Sequence, residues 1–223
     1  MSSQFGRTLP VVLTNTGSER RTPTKPLRLI PPEVRSSFVP YLSILPPLRV
    51  GENDLTRIAP GRPRADGDAV ELSGRLVDSN GRPLAGVLVE IWNANKYGRY
   101  GHVLDSSMHK PDPNFLGLGR TITDEAGNYR FLTIRPGSYL ARPDIGRWRP
   151  AHIHFSIRGG GSRMITQMYF AGDPYNLTDQ QALFMGDDFD RNVGKQYQTA
   201  ADDTVHGYRF DIAIGGRNAV FFE

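Results

Sequence analysis

Cysteine is absent from this 223-residue chain. That excludes a disulfide framework, a thiolate metal site and a cysteine nucleophile, and it suits a reducing cytoplasm, the expected location. No apolar run approaches the roughly 20 residues of a membrane span, so no membrane association is expected. The opening MSSQFGRTLPVVLTNTGSERR lacks a charged stretch followed by a long apolar one, so no signal peptide is read there. Helix signals are scarce as well. The one candidate is Thr178–Met185, which Gly186 would end, and no heptad or internal repeat is visible. The net charge is only +4. No Lys/Arg cluster is interleaved with stacking aromatics, so a nucleic-acid partner is not expected.

What is abundant points the other way. Gly 24 and Pro 17 favour a turn-rich all-β chain, and 38% apolar residues suffice for one core. Ten of the prolines fall in residues 1–63, and residues 1–64 carry a balance of +6 against −2 for the rest. A segment such as RLIPPEVRSSFVPYLSILPPLRV cannot be regular helix or central strand, because each proline fixes φ and removes a donor. Its Ile, Val, Phe and Leu predict an ordered, extended arm over residues 1–69 that packs on another subunit. From Val70 the pattern changes. Val70–Asp78, Gly86–Trp92, Tyr129–Ile134, Ala151–Ile157, Met164–Phe170 and Tyr208–Ile214 read as strands separated by turns such as SNGRP, DEAG, RPG and GGGS. Short strands at this spacing predict an antiparallel β-sandwich over 70–223, prealbumin-like (transthyretin-like), with few short helices.

The densest chemistry lies in Trp148-Arg149-Pro150-Ala151-His152-Ile153-His154-Phe155. In a strand, His152 and His154 share one face while Ile153 and Phe155 take the other. Two imidazoles about 6–7 Å apart along the backbone can close on one metal ion. They can equally sit on the wet face of a half-buried strand. Tyr100, in the segment NANKYGRYGH that follows Trp92, and Tyr139, which closes RPGSY, are each an ordinary core or turn tyrosine when taken alone. The frame itself is a generic way to build a prealbumin-type module, many of which catalyse nothing.

Together, GRLVDSNGRPL, EIWNAN, GRY, DPNFLGLGRTITD, YRFLTIRPGSY, WRPAHIHFSI, ITQMYFAGDP, GYRFDIAIGG and the terminal VFFE resemble the intradiol ring-cleavage dioxygenases. The likeness is greatest to the iron-bearing beta-chain type that acts on protocatechuate. It covers about Leu72 to Glu223, with 39 residues between the two tyrosines and 13 from the second tyrosine to the first histidine. The resemblance implies a non-haem Fe(III) ion held by Tyr100, Tyr139, His152 and His154. Phenolates and neutral imidazoles are harder ligands than thiolates and suit that ion. It further implies that a catechol-type diol is cleaved by O₂ between its hydroxylated carbons to a muconate-type dicarboxylic acid. Tyr139 would give way to the diol, Arg149 would stabilise developing negative charge, and Gln167 would hydrogen-bond the reacting oxygens.

One departure bears on substrate choice. The family's beta chains follow the second tyrosine with Pro-Trp, whereas Leu140-Ala141 follow Tyr139 here. The wall beside the metal should then be roomier. A protocatechuate-like acid is the favoured substrate, with hydroxyquinol or sulfocatechol, or a non-catalytic prealbumin-like subunit, as the alternatives. Arg142 and Arg147 flank the site in sequence and could meet an anionic substituent or be solvated. The resemblance also implies an oligomer, formed either with a homologous alpha chain or with further copies of this one.

Overall fold

The computed structural model describes residues 47–102, 105, 107–159, 162–199 and 205–222. These belong to one compact unit, Val39–Glu223; a second, Met1–Phe38, lies outside the described residues. Residues 1–46 of the expected arm therefore lie outside them too.

Among the described residues, eleven strands run in chain order: β1 (Ala69–Val77), β2 (Leu88–Trp92), β3 (Leu118–Ile122), β4 (Asn128–Ile134), β5 (Tyr139–Arg142), β6 (Arg147–Arg149), β7 (His152–Gly159), β8 (Ser162–Phe170), β9 (Val193–Gln198), β10 (Val205–Arg209) and β11 (Ile212–Ala213). The one α-helix among the described residues, α1 (Gln180–Met185), follows β8. Its N-cap is Asp179, whose side chain accepts from the amides of Gln181 and Ala182, and Gly186 ends it. The polar cap and terminal glycine are the signals that make so short a segment helical.

All-β character holds, but the antiparallel sandwich does not. Nine strands form one mixed sheet that curls into a nearly closed barrel. β4 runs antiparallel along one edge of β1, while β10 and then β11 pair with β1 in parallel. β9, β8, β7, β2 and β3 continue the order, with β8 and β9 again parallel. The open seam between β3 and β4 is bridged by residues 52–55. Glu52 O accepts from Arg120 N at 2.9 Å, Asn53 O accepts from Leu132 N at 2.9 Å, and Leu55 N donates to Leu132 O at 2.7 Å. Leu55 is fully buried there. The reason the sequence misleads is physical. Alternation reports which face of a strand is buried, and a sandwich and a barrel both bury one face. The parallel pairing of Ala69 with Val205 joins segments whose partnership leaves no mark on either one.

The barrel interior is filled by Val70, Leu72, Leu76, Val89, Ile91, Phe131, Ile153, Phe155, Met168, Phe210 and Ile212, all buried. Ile153, Phe155 and Ile157 point into this core, so His152 and His154 stand on the outer face of β7. β5 and β6 form a separate two-stranded sheet.

Candidate metal centre

The outer face of β2, β7 and β8 presents a grid of polar and aromatic side chains. Trp92, His154 and Gln167 lie opposite one another across the three strands, and His152 lies opposite Tyr169. Trp92 stacks flat on His154, with ring centroids 4.8 Å apart and an interplanar angle of 1°. The imidazoles meet edge to face, their Nε2 atoms 3.1 Å apart.

Two loops bring the tyrosines to this grid. Tyr100 lies in the loop after β2, which is organised by the buried Asn95. Its side chain accepts from the amides of Tyr97 at 2.9 Å and Arg99 at 3.0 Å, and its backbone carbonyl accepts from Gly98 and Gly137. Gly98 has φ +81, and a Cβ there would stand 2.7 Å from Ser138 O and 2.9 Å from Tyr139 Cβ. Only glycine allows the two loops so close. Tyr139 opens β5 and pairs directly with Arg149 on β6. Asp173 ties together the segments that carry Tyr139 and His152. One carboxylate oxygen accepts from Ser138 Oγ and from Ala151 N, each at 2.9 Å.

All four predicted donors are brought together. Tyr100 Oη lies 3.3 Å from His152 Nε2. The rings of Tyr100 and Tyr139 are 5.6 Å apart, and those of Tyr139 and His152 are 5.8 Å apart. His152 Nδ1 is 2.7 Å from Pro150 O. A carbonyl can only accept, so Nδ1 carries the proton and Nε2 presents its lone pair to the cluster.

Electrostatics follow from burial. His152 is driven well below the ordinary imidazole range by burial, then by the Arg149 charge and His154. His154 is lowered to about 3 by burial and Arg149. Tyr100 is pushed well above 10 by burial and by Tyr139. Without a cation the site therefore holds neutral imidazoles and a reluctant phenol, and His154 Nδ1 is buried with no hydrogen-bond partner. A cation reverses this preference by drawing off the phenol proton. Nitrogens bound at about 2.0–2.1 Å in adjacent positions sit about 3 Å apart, the separation seen between the imidazoles. The donor set fits a hard metal ion. Among the described residues, no group of three His, Asp or Glu side chains could hold one.

Beside the four donors lies a buried network. Arg149 donates from Nε to Asp179 at 2.9 Å, and from Nη2 to Gln167 Oε1 at 2.7 Å, Tyr169 Oη at 3.1 Å and Gln181 Oε1. Burial opposes its charge most strongly, but Asp179, Tyr169 and Tyr139 together outweigh burial and raise its pKa. Gln167 belongs to this network, its Nε2 donating to Gln181 at 2.8 Å. Arg142 is paired with Asp144 and Arg147 with Gln180. Sequence reasoning missed Trp92, Tyr169, Asp173, Asp179 and Gln181. Alternation along β8 would have put Tyr169 on the face of Gln167, and the N-cap signal would have marked Asp179. Nothing local announces Asp173.

A family model described as a dioxygenase matches residues 47–216. The chain is 40% identical over 214 residues to the protocatechuate 3,4-dioxygenase beta chain of Burkholderia cepacia, covering 92% of this chain and 89% of that one. It is 37% identical over 126 residues to a catechol 1,2-dioxygenase of Acinetobacter baylyi, covering 51% of this chain and 40% of that protein. Among solved structures, catechol 1,2-dioxygenase from Pseudomonas arvilla C-1 superposes with a TM-score of 0.54 at 31% identity, over 72% of this chain and 55% of that one. With a family model spanning most of its length and a relative matched almost end to end, this chain belongs to the intradiol ring-cleaving dioxygenases.

Proposed function

We propose that this protein cleaves a substituted catechol between its two hydroxylated carbons, at a non-haem ferric ion held by Tyr100, Tyr139, His152 and His154. Both atoms of O₂ enter the product, a muconate-type dicarboxylic acid. The observation that carries this reading is the convergence of two imidazole nitrogens and a phenol oxygen within 3.1–3.3 Å, with Tyr139 beside them. When bound, ferric iron would supply a Lewis acid that the diol can chelate and that draws electron density from its ring.

The chain supplies the rest. The Pro150 carbonyl holds His152 in the tautomer that offers Nε2, and the Trp92 stack fixes the plane of His154. Tyr139 sits on a short two-stranded sheet rather than on the barrel, and its phenolate oxygen would take up a proton from a diol hydroxyl. Arg149, in the pair opposite Tyr139, provides a fixed positive charge for the carboxylate and oxyanion character that develops.

A protocatechuate-like acid is the favoured substrate, supported by the identity to a protocatechuate 3,4-dioxygenase beta chain. Leu140-Ala141 beside Tyr139 favours tolerance of other substituted catechols, hydroxyquinol and sulfocatechol among them. Assembly with a homologous alpha chain or with further copies belongs to the same proposal, through the part of the 1–69 arm that precedes residues 52–55, which pack on this chain's own barrel; so does a cytoplasmic location. No helix among the described residues is long and apolar enough to cross a membrane.

Oxygen uptake by the iron-loaded chain across catechols with neutral, anionic and bulky substituents tests the reading. Visible tyrosinate-to-iron absorption is expected, with uptake at a stoichiometry of one O₂ per diol. Protein that stays colourless after iron loading and consumes no oxygen refutes it.

A further inference from the structure

We propose that Asp179 is a positioning residue for ring cleavage. Its carboxylate aims the Arg149 guanidinium and, through the same two oxygens, ties that guanidinium to the start of helix α1. This rests on the reading of Arg149 given above and extends it to residues from a different part of the chain.

Asp179 is buried to 3% exposure, and its side chain and that of Arg149 are 4% and 11% exposed. Oδ2 accepts from Arg149 Nε at 2.9 Å. Oδ1 accepts from the backbone of Gln181 at 3.1 Å and Ala182 at 3.0 Å, with Tyr169 Oη at 3.4 Å. The capping geometry thus fixes the orientation of the carboxylate plane, and that plane fixes the Nε edge of the guanidinium. Gln181, two residues past the same cap, adds a second constraint, because its Oε1 accepts from both Arg149 Nη2 and Gln167 Nε2.

The guanidinium is a rigid fork. With Nε and Nη2 engaged by Asp179, Gln167, Tyr169 and Gln181, its rotation is removed. Nη1 has no partner among the described residues and is the donor left for substrate. A buried arginine needs a counter-charge to be tolerated, but a counter-charge on a freely rotating side chain would let the fork swing. Building that carboxylate into a helix cap supplies both charge and direction. Catalysis by a preorganised charge depends on that direction, since a displacement of about 1 Å can cost on the order of 100-fold in rate.

Asp179→Asn separates the two roles, because asparagine caps helices about as well as aspartate but carries no charge. In the iron-loaded enzyme, D179N is expected to lower kcat about 10- to 100-fold, with KM changed less than about threefold. Iron content and visible absorption are expected to be unchanged. In the metal-free protein, the Arg149 Nε–H signal in NMR spectra is expected to exchange with solvent at least about tenfold faster than in wild type. In an Arg149→Met background, D179N is expected to add less than about twofold, since a residue acting through Arg149 has nothing left to position. Should D179N fail to fold, Gln181→Leu loosens the same fork while leaving the ion pair intact, and a kcat loss of about 3- to 10-fold is expected.

Wild-type kcat in D179N, or in Q181L where D179N does not fold, overturns the proposal. So does a D179N effect as large in the R149M background as in wild type, which would mark Asp179 as structural only. R149M with wild-type turnover removes the catalytic reading of Arg149 itself. Impaired R149M beside an unimpaired D179N removes only the role of Asp179.

Discussion

Lowering the pH of the metal-free protein from 7 to 5 should cost it stability at a site that plays no part in the barrel core. His154 is held neutral in the folded chain, its pKa lowered to about 3 by burial and by Arg149. In the unfolded chain it titrates near 6.5. A depressed folded pKa means that the unfolded state binds the extra proton first. The contribution is therefore fully present above the unfolded value and is lost as pH falls from about 6.5 toward 3. At pH 5, one and a half units into that window, the loss is about 2 kcal/mol from this ring alone, at about 1.4 kcal/mol per unit. For a domain of this size that corresponds to a fall of about 4–8 °C in Tm. His152, lowered by burial, Arg149 and His154, acts in the same direction. Ordinary carboxylates keep out of the way, since they take up protons only near pH 4 and below. Urea melts at pH 7 and pH 5 on wild type and His154→Gln measure the effect. The variant also loses the Trp92 stack, but that loss is the same at both pH values. Wild type should lose about 2 kcal/mol more than the variant between the two conditions. Identical pH dependence in the two proteins refutes the claim that a buried neutral imidazole stands at this position.

Three further outcomes follow from the geometry. Leu55→Ala empties a fully buried position in the β3–β4 seam and should destabilise by about 2–5 kcal/mol; a shift in urea midpoint worth less than about 1 kcal/mol would mean the segment is not part of the barrel wall. Gly98→Ala places a methyl 2.7 Å from Ser138 O at φ +81, so metal stoichiometry measured by elemental analysis should fall along with stability, as Tyr100 and Tyr139 are pushed apart. Asp173→Ala frees both Ser138 and the Ala151 amide; a loss of about 1–3 kcal/mol is expected in chemical melts, accompanied by weaker retention of iron against a chelator.

Much of the candidate site was legible because its chemistry is local. The alternation that puts His152 and His154 on one face is a property of seven residues, and the structure keeps Ile153 and Phe155 on the other. Helix α1 was likewise legible from its closing glycine. β3, β5, β6 and β9 were not. β3 and β9 have mixed burial, with exposed Leu118, Ile122 and Lys195. β5 and β6 are too short to show a period and are half-buried throughout.

By itself the sequence determined an all-β chain with no thiol chemistry, and it carried a family resemblance that implies a ferric site at Tyr100, Tyr139, His152 and His154. Only the tertiary structure decided that the sheet closes almost into a barrel. Parallel partners such as β1 and β10 are chosen by the burial of a whole sheet face, which no single strand records. Only the tertiary structure, too, brought Asp173 to Ser138 and Ala151, the neighbours of Tyr139 and His152, and Asp179 to Arg149. Carboxylates of this kind are placed by the elements that pack around them, so their partners are set by distance in space rather than in sequence.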